Sequence, residues 1–348
     1  MRLRHRARLW VADRTRGYST GRIRHGRTNV RDKRHETIMP NTLVHLGVQG
    51  IGSRLISRQI DLKWVFLGCL IPDIPWILRR AIITLFPDVN AYDVTLYATV
   101  QATLLYCLLL SLVFALLSER TRYIFAVLAA NVVLHLLLDA TEIKWGNGVI
   151  FFAPWSWEIT SFEWIWPDSL LIGVLSLVGL AFGIWVLLHP AAEPVRVRLT
   201  RYRQSAAALA LFVVYTVSPM NLLEGPYSAN VQSIATLQER ERRIGREVRF
   251  DRRPYENRAE GDVVIALADE PLRVVGNIRA TSPEVSLVGR FVDSGEIRIE
   301  QLHEFSFPWR NLASYAGLGI VALVWLVALI RERRARTAYL PEGDPGRR

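Results

Sequence analysis

Two stretches of this chain, 104–117 and 170–188, run without a single charged residue. Such a run belongs in the interior of a large protein or in the hydrocarbon of a bilayer, which a helix of about 17–25 apolar residues can cross. The runs recur: segments 41–58, 64–83, 95–117, 121–140, 168–188, 205–223 and 311–330 are predominantly apolar, with Gly, Pro or charge between them. At 51% hydrophobic and only 22% charged residues in a chain of 348, the composition excludes disorder and is high for an ordinary soluble enzyme. The pattern predicts a mainly α fold, a multi-pass transmembrane helical bundle of six or seven spans. The count turns on 41–58, which carries Arg54 and Arg58.

The net charge of +11 is unevenly placed, because residues 1–38 hold +9 and the rest only +2. Residues 1–38 have no hydrophobic period and no apolar core of a secretory signal. Met39 then opens Met-Pro-Asn-Thr-Leu-Val-His in the manner of a start. The segment is expected to be a basic disordered tail or a mis-called start. A basic head also suits nucleic acid, but the tail or mis-called start is the plainer reading, and 224–310 shows no basic-aromatic surface pattern, so no nucleic-acid partner is expected. Cys69 and Cys107 both lie in apolar segments, so neither a disulfide framework nor a cysteine zinc site is offered.

Arginine placement orients the bundle. Arg196, Arg198, Arg201 and Arg203 in the loop 191–204, and Arg331, Arg333, Arg334 and Arg336 in the tail 331–348, mark the cytoplasmic side. Alternation from these anchors puts 141–167 and 224–310 outside. The first of these loops carries Trp145, Trp155, Trp157, Trp164 and Trp166. Indole rings favour the headgroup level, so the loop reads as an interfacial belt, as a substrate-facing rim, or as both if the substrate is a lipid. In the second, residues 229–245 read as a charged amphipathic helix. Five alternating runs follow, Glu247–Phe250, Asp262–Leu267, Leu272–Asn277, Glu284–Phe291 and Glu296–His303, with turn residues between them. They predict a small β-rich extramembrane domain over 224–310, OB-like in kind, set between the helical domain 39–223 and a last span at 311–330.

Ionisable residues inside spans are costly and need a reason. His135 and Asp139 are four apart, so both stand on one helix face, a turn apart. Asp73 lies between Pro72 and Pro75, where proline disturbs the helix. With the orientation above, His45, Asp73, His135 and Asp139 can converge in the outward half of the bundle. Two carboxylates and two neutral imidazoles around one divalent cation sum to zero, and such a set suits Zn²⁺, with Mn²⁺ or Fe²⁺ as alternatives. Other roles stay open: His45 hydrogen-bonded to a neighbour, or Asp73 paired with Arg79 or Arg80.

These stretches, His45, then Gly68 with Pro72-Asp73, then His135-Leu-Leu-Leu-Asp139 with Gly146 and Gly148, resemble the bacterial inner-membrane family of membrane-bound metal-dependent hydrolases. That family is distantly similar to zinc-dependent phospholipase C. The resemblance covers roughly 39–188. Two departures matter: Pro75 stands where many members carry a second acidic residue, and Leu96–Thr103 holds none of their histidines. A multi-metal centre is therefore incomplete, and one ion is the most it implies.

The resemblance implies an inner-membrane hydrolase, and the arginine placement then puts the 224–310 domain in the periplasm. A zinc ion held by His45, Asp73, His135 and Asp139 would acidify a water and polarise the scissile bond. Phosphoester bonds of membrane lipids or lipid-linked precursors are the expected substrates. Four protein ligands would close a tetrahedral site, so either the site expands to five ligands or one residue stands back from the ion, Asp139 or Asp73 then acting as general base. The alternative is a non-enzymatic membrane protein with a structural polar cluster, whose β-rich domain binds a periplasmic protein. A transporter would need repeats or paired broken helices that are not evident here.

Overall fold

The computed structural model describes residues 41–189, 194–198, 201–305 and 309–338. The basic segment 1–38 lies outside these residues, as does the end of the chain from 339. Nine longer helices are described: α1 (Thr42–Ile56), α2 (Leu62–Leu70), α3 (Ile74–Leu85), α4 (Ala91–Gln101), α5 (Leu104–Leu116), α6 (Thr121–Thr141), α7 (Leu170–Leu188), α8 (Tyr202–Val217) and α9 (Trp309–Ala338). Side-chain caps start several of them. Asp61 accepts from the Lys63 N–H, Asn90 from those of Tyr92 and Asp93, and Ser169 from that of Ile172.

Two expected spans are broken. Pro72 opens a 3₁₀ turn, Ile71–Asp73, and Pro75 starts the next helix, so 64–83 divides into α2 and α3. The 95–117 run bends by 69° between α4 and α5. Among the described residues four helices are long and apolar enough to cross a membrane, or five if the bent pair counts as one span. At 15 residues α1 falls short of that length, and Arg54 sits in its last turn, where a long side chain can reach toward the interface. The chain is thus a mainly helical protein with several membrane-length apolar helices and a separate β-rich region.

Glycine sets the closest helix contact. A Cβ on Gly179 of α7 would lie 1.8 Å from the Leu43 carbonyl oxygen of α1, and one on Gly47 would lie 2.8 Å from the Gly179 Cα. Bare backbones meet there, as in small-residue contacts between membrane helices. Around this pair, Leu46, Val65, Phe66, Leu128, Val132 and Leu136 fill the bundle interior.

The β-rich region is a closed five-stranded barrel, ordered β1-β2-β3-β5-β4. Its strands are β1 (Glu247–Arg258), β2 (Gly261–Ile265), β3 (Pro271–Val275), β4 (Glu284–Asp293) and β5 (Glu296–Glu304). Neighbours pair antiparallel except β3 with β5. Val248, Phe250, Val264, Leu287, Phe291 and Ile297 fill it, and Leu96 of α4 packs into the same cluster. β1 runs eight residues beyond the expected Phe250, across a bulge that buries Arg252 and Arg253. The amphipathic helix expected over 229–245 is not formed. Short turns Val231–Ser233, Ile234–Gln238 and Arg240–Arg242 replace it, because Asn230, Gln232 and Ser233 adopt positive φ.

One ion pair secures the barrel. Arg243, 1% exposed, makes two bonds to Glu270, of 2.9 and 2.8 Å, and one to the Ser294 carbonyl of 2.8 Å. Glu270→Ala leaves that guanidinium buried without its anion and is expected to cost about 3 kcal/mol. Thermal unfolding of the full chain, with the barrel followed by limited proteolysis, checks this; an unshifted midpoint would count against it.

Candidate metal centre

The site forms where α1 begins, α2 turns into α3, and α6 ends. His45, His135 and Asp139 each offer a ligand atom, and these atoms all lie within 4.8 Å of one another. Asp73 joins from the proline turn, its Oδ1 3.5 Å from His135 Nε2. His135 Nε2 is also 3.5 Å from Asp139 Oδ2, and His45 Nε2 is 3.4 Å from Asp139 Oδ1. The imidazole rings stack at 3.9 Å and 9°. Both histidines and Asp73 are buried, while the Asp139 side chain keeps 15% exposure and gives the cluster its open side.

Hydrogen bonding fixes the chemistry of His135. Its Nδ1 lies 2.6 Å from the Cys69 carbonyl, which can only accept, so Nδ1 holds the proton. In the neutral ring Nε2 then presents a lone pair to two carboxylates. Separations of 3.4–3.5 Å are long for hydrogen bonds. Accordingly His135 Nε2 and both Asp73 oxygens are buried with no hydrogen-bond partner among the described residues. Asp139 Oδ1 also lacks a hydrogen bond of proper geometry, although the Lys144 ammonium is 3.2 Å away. Buried acceptors facing one another are costly, and a cation among them removes that cost. Two imidazoliums stacked at 3.9 Å would repel, so at least one ring stays neutral. The donor set therefore fits one divalent ion held by His45, His135 and Asp139, with Asp73 alongside.

Gln49, one turn after His45, supports the second histidine. Its amide lies 3.3 Å from His45 Nδ1 and takes the Cys69 thiol at 3.1 Å. The amide Nε2 donates to His45 Nδ1 while Oε1 accepts from the Cys69 thiol, and this pair of bonds orients the ring with its Nε2 toward Asp139. Gln49→Leu is expected to weaken metal affinity about 10–100-fold. Competition against a fluorescent zinc chelator checks it, and an unchanged constant would exclude the role.

Beyond Asp139 the loop carries charge outward. Lys144 Nζ is 3.2 Å from both Asp139 Oδ1 and Glu142 Oε2, and Arg310, at the foot of α9, is 3.4 Å from Glu142. Burial resists the charge on Glu142, but Lys144 and Arg310 outweigh it and hold the carboxyl below its ordinary range. Burial also opposes the Lys144 ammonium, yet Asp139 and Glu142 hold it above the ordinary lysine value. A cavity opens here, walled by Asp139, Lys144, Asn147, Arg310 and Asp251 of β1. The loop is tied to the barrel region by the Gln232 N–H on the Gly146 carbonyl at 2.8 Å.

The tryptophans of this loop divide. Trp155 and Trp164 are exposed, as a belt requires, whereas Trp166 stacks on His303 at 3.6 Å and Trp145 meets it edge-on. His303 reaches Asp168 at 3.1 Å and so belongs to the joint between loop and barrel rather than to the cluster. Arg79 donates to the Thr95 hydroxyl at 2.7 Å.

Sequence reasoning missed Gln49, Glu142, Asp251 and Arg310. The first had a signal, its four-residue spacing from His45. Asp251 and Arg310 had none, because only the tertiary fold brings β1 and α9 over the end of α6. Comparison with protein-family models, with curated proteins and with solved structures finds no match to this chain.

Proposed function

We propose that the chain is a multi-pass inner-membrane hydrolase using one divalent metal, zinc by its donor set, on phosphoester bonds of lipids or lipid-linked precursors. The observation that carries the reading is the buried group of ligand atoms on His135 and Asp73 without hydrogen-bond partners among the described residues, with Asp139 opening from it onto a cavity lined by Lys144 and Arg310 as well as Asp251. When bound, the ion would supply Lewis acidity and an acidified water. His45, His135 and Asp139 would hold it. Asp73, with both oxygens free of hydrogen bonds, accepts the proton. Lys144 and Arg310 meet the anionic oxygens of the substrate at the cavity wall.

Six or seven spans, with α1 and the broken α2–α3 pair among them, fit this reading, as does a periplasmic barrel. The strand order β1-β2-β3-β5-β4 supports an OB-like assignment. The test is phosphate release from phospholipid and lipid-diphosphate substrates by the purified chain loaded with zinc. Turnover should vanish in Asp73→Asn while zinc is retained. Undiminished turnover in that variant, or none in a zinc-loaded parent, contradicts the assignment. One observation favours a non-enzymatic metal site instead: the cavity wall near the histidine-free 96–103 stretch is Thr99 and Ala102, which add no ligand.

A further inference from the structure

A second pocket lies at the opposite end of the bundle. His45 is near the start of α1 and Arg54 is in its last turn, nine residues on, or about 14 Å along the axis. Arg54 in the last turn of α1, Lys63 in the first turn of α2, His189 just past α7 and Arg331 in the C-terminal third of α9 line this pocket. Below them the walls are apolar, formed by Val186, Leu187, Val324 and Val327. A polar anionic head above an apolar tail is the ligand such a lining accepts.

The charges are not equivalent. Asp61 is committed to Lys63, whose ammonium it contacts, and to the Val195 N–H at 2.9 Å, so that pair is neutral. Arg54 and Arg331 leave a net positive charge. The Arg54 guanidinium sits over the Trp185 ring at 5.8 Å and donates to the Arg58 carbonyl, yet its Nε is buried with no hydrogen-bond partner among the described residues. A buried charged donor left unmade is costly, and a phosphate oxygen would satisfy it.

The surroundings separate lipid from free anion. Leu55, Ile56 and Leu188 beside the basic residues are strongly exposed, which suits acyl chains and not open water. This is also the end that carries Arg196, Arg198, Arg333 and Arg334, the side that the positive-inside tendency assigns to the cytoplasm. Anionic lipids are enriched in that leaflet, and basic pockets between helices there take phosphate head groups. We propose that this pocket binds the head group of one anionic glycerophospholipid, with its acyl chain along Leu187 and Val324. The proposal is independent of the metal centre.

The test uses the full chain in a zwitterionic detergent, with phosphatidylglycerol, phosphatidylcholine or inorganic phosphate as probes. Native mass spectrometry should find one retained phosphatidylglycerol, and the melting midpoint should rise with that lipid alone. Arg54→Gln and Arg331→Gln should each weaken retention at least tenfold. Arg334→Gln, a charge-matched change outside the lining, should not. Arg331 is exposed, so its variant has no core to lose and reads binding even if Arg54→Gln fails to fold. Equal retention in Arg331→Gln and Arg334→Gln would overturn the site. Equal retention of phosphatidylcholine would remove its anionic selectivity, and equal protection by inorganic phosphate would reassign it to a soluble anion.

Discussion

A Gly179→Ala chain is expected to lose about 3 kcal/mol of stability, the upper part of the usual range for overpacking. The added methyl would meet the Leu43 carbonyl at 1.8 Å, and that atom is backbone, so no side chain can turn aside. Either α7 moves off α1 or α1 bends, and both displace His45 two residues away. Gly173→Ala on the same helix is the control, because a Cβ there meets nothing within 4 Å. That change should be neutral or slightly stabilising, since alanine is the better helix former. Thermal melting of the two variants in one detergent decides the point. Similar midpoints would mean that the α1–α7 contact is looser than described.

The second large effect is expected at Asp139. In the parent, a chelator should lower the melting temperature, because an ion that binds only the folded state adds RT ln(1 + [L]/Kd), about 4 kcal/mol at a thousandfold excess over Kd. Asp139→Ala should melt low from the start and ignore the chelator. It removes the carboxylate that lies between His45, His135 and Lys144, and leaves the ammonium buried against Glu142 alone. Equal chelator shifts in parent and variant would show that Asp139 holds no ion.

Much of this arrangement can be read from the chain, and particular residues show where reading stops. Strand alternation located the barrel because alternate residues turn inward, as with Val248 and Phe250 on β1. The same rule ended β1 too early. Arg252 and Arg253 look like surface residues, but Arg252 lies over the Phe305 ring at 3.9 Å and reaches Glu284 at 3.9 Å, so its charge is buried within the strand. The helix expected over 229–245 had its apolar period, and positive φ at the polar residues Asn230, Gln232 and Ser233 overrode it. Composition marked the apolar runs but not where they break; Pro72 was visible as a disturbance, whereas the 69° bend after Gln101 had no proline to announce it. At the cluster, the i, i+4 spacing of His135 and Asp139 is a local property of one helix. That His45 stacks on His135 depends on α1 sitting against α2 and α7, and the glycines that allow it, Gly47 and Gly179, carry no chemistry of their own to draw notice.

Whether the cluster holds a divalent ion is read by metal analysis with inductively coupled plasma mass spectrometry. The full chain, equilibrated with zinc and freed of excess by gel filtration, should carry one ion per chain. His135→Ala and Asp139→Ala should carry close to none. His303→Ala, altered at the barrel joint, should match the parent. A folded parent without metal above background, or variants as loaded as the parent, would contradict the account.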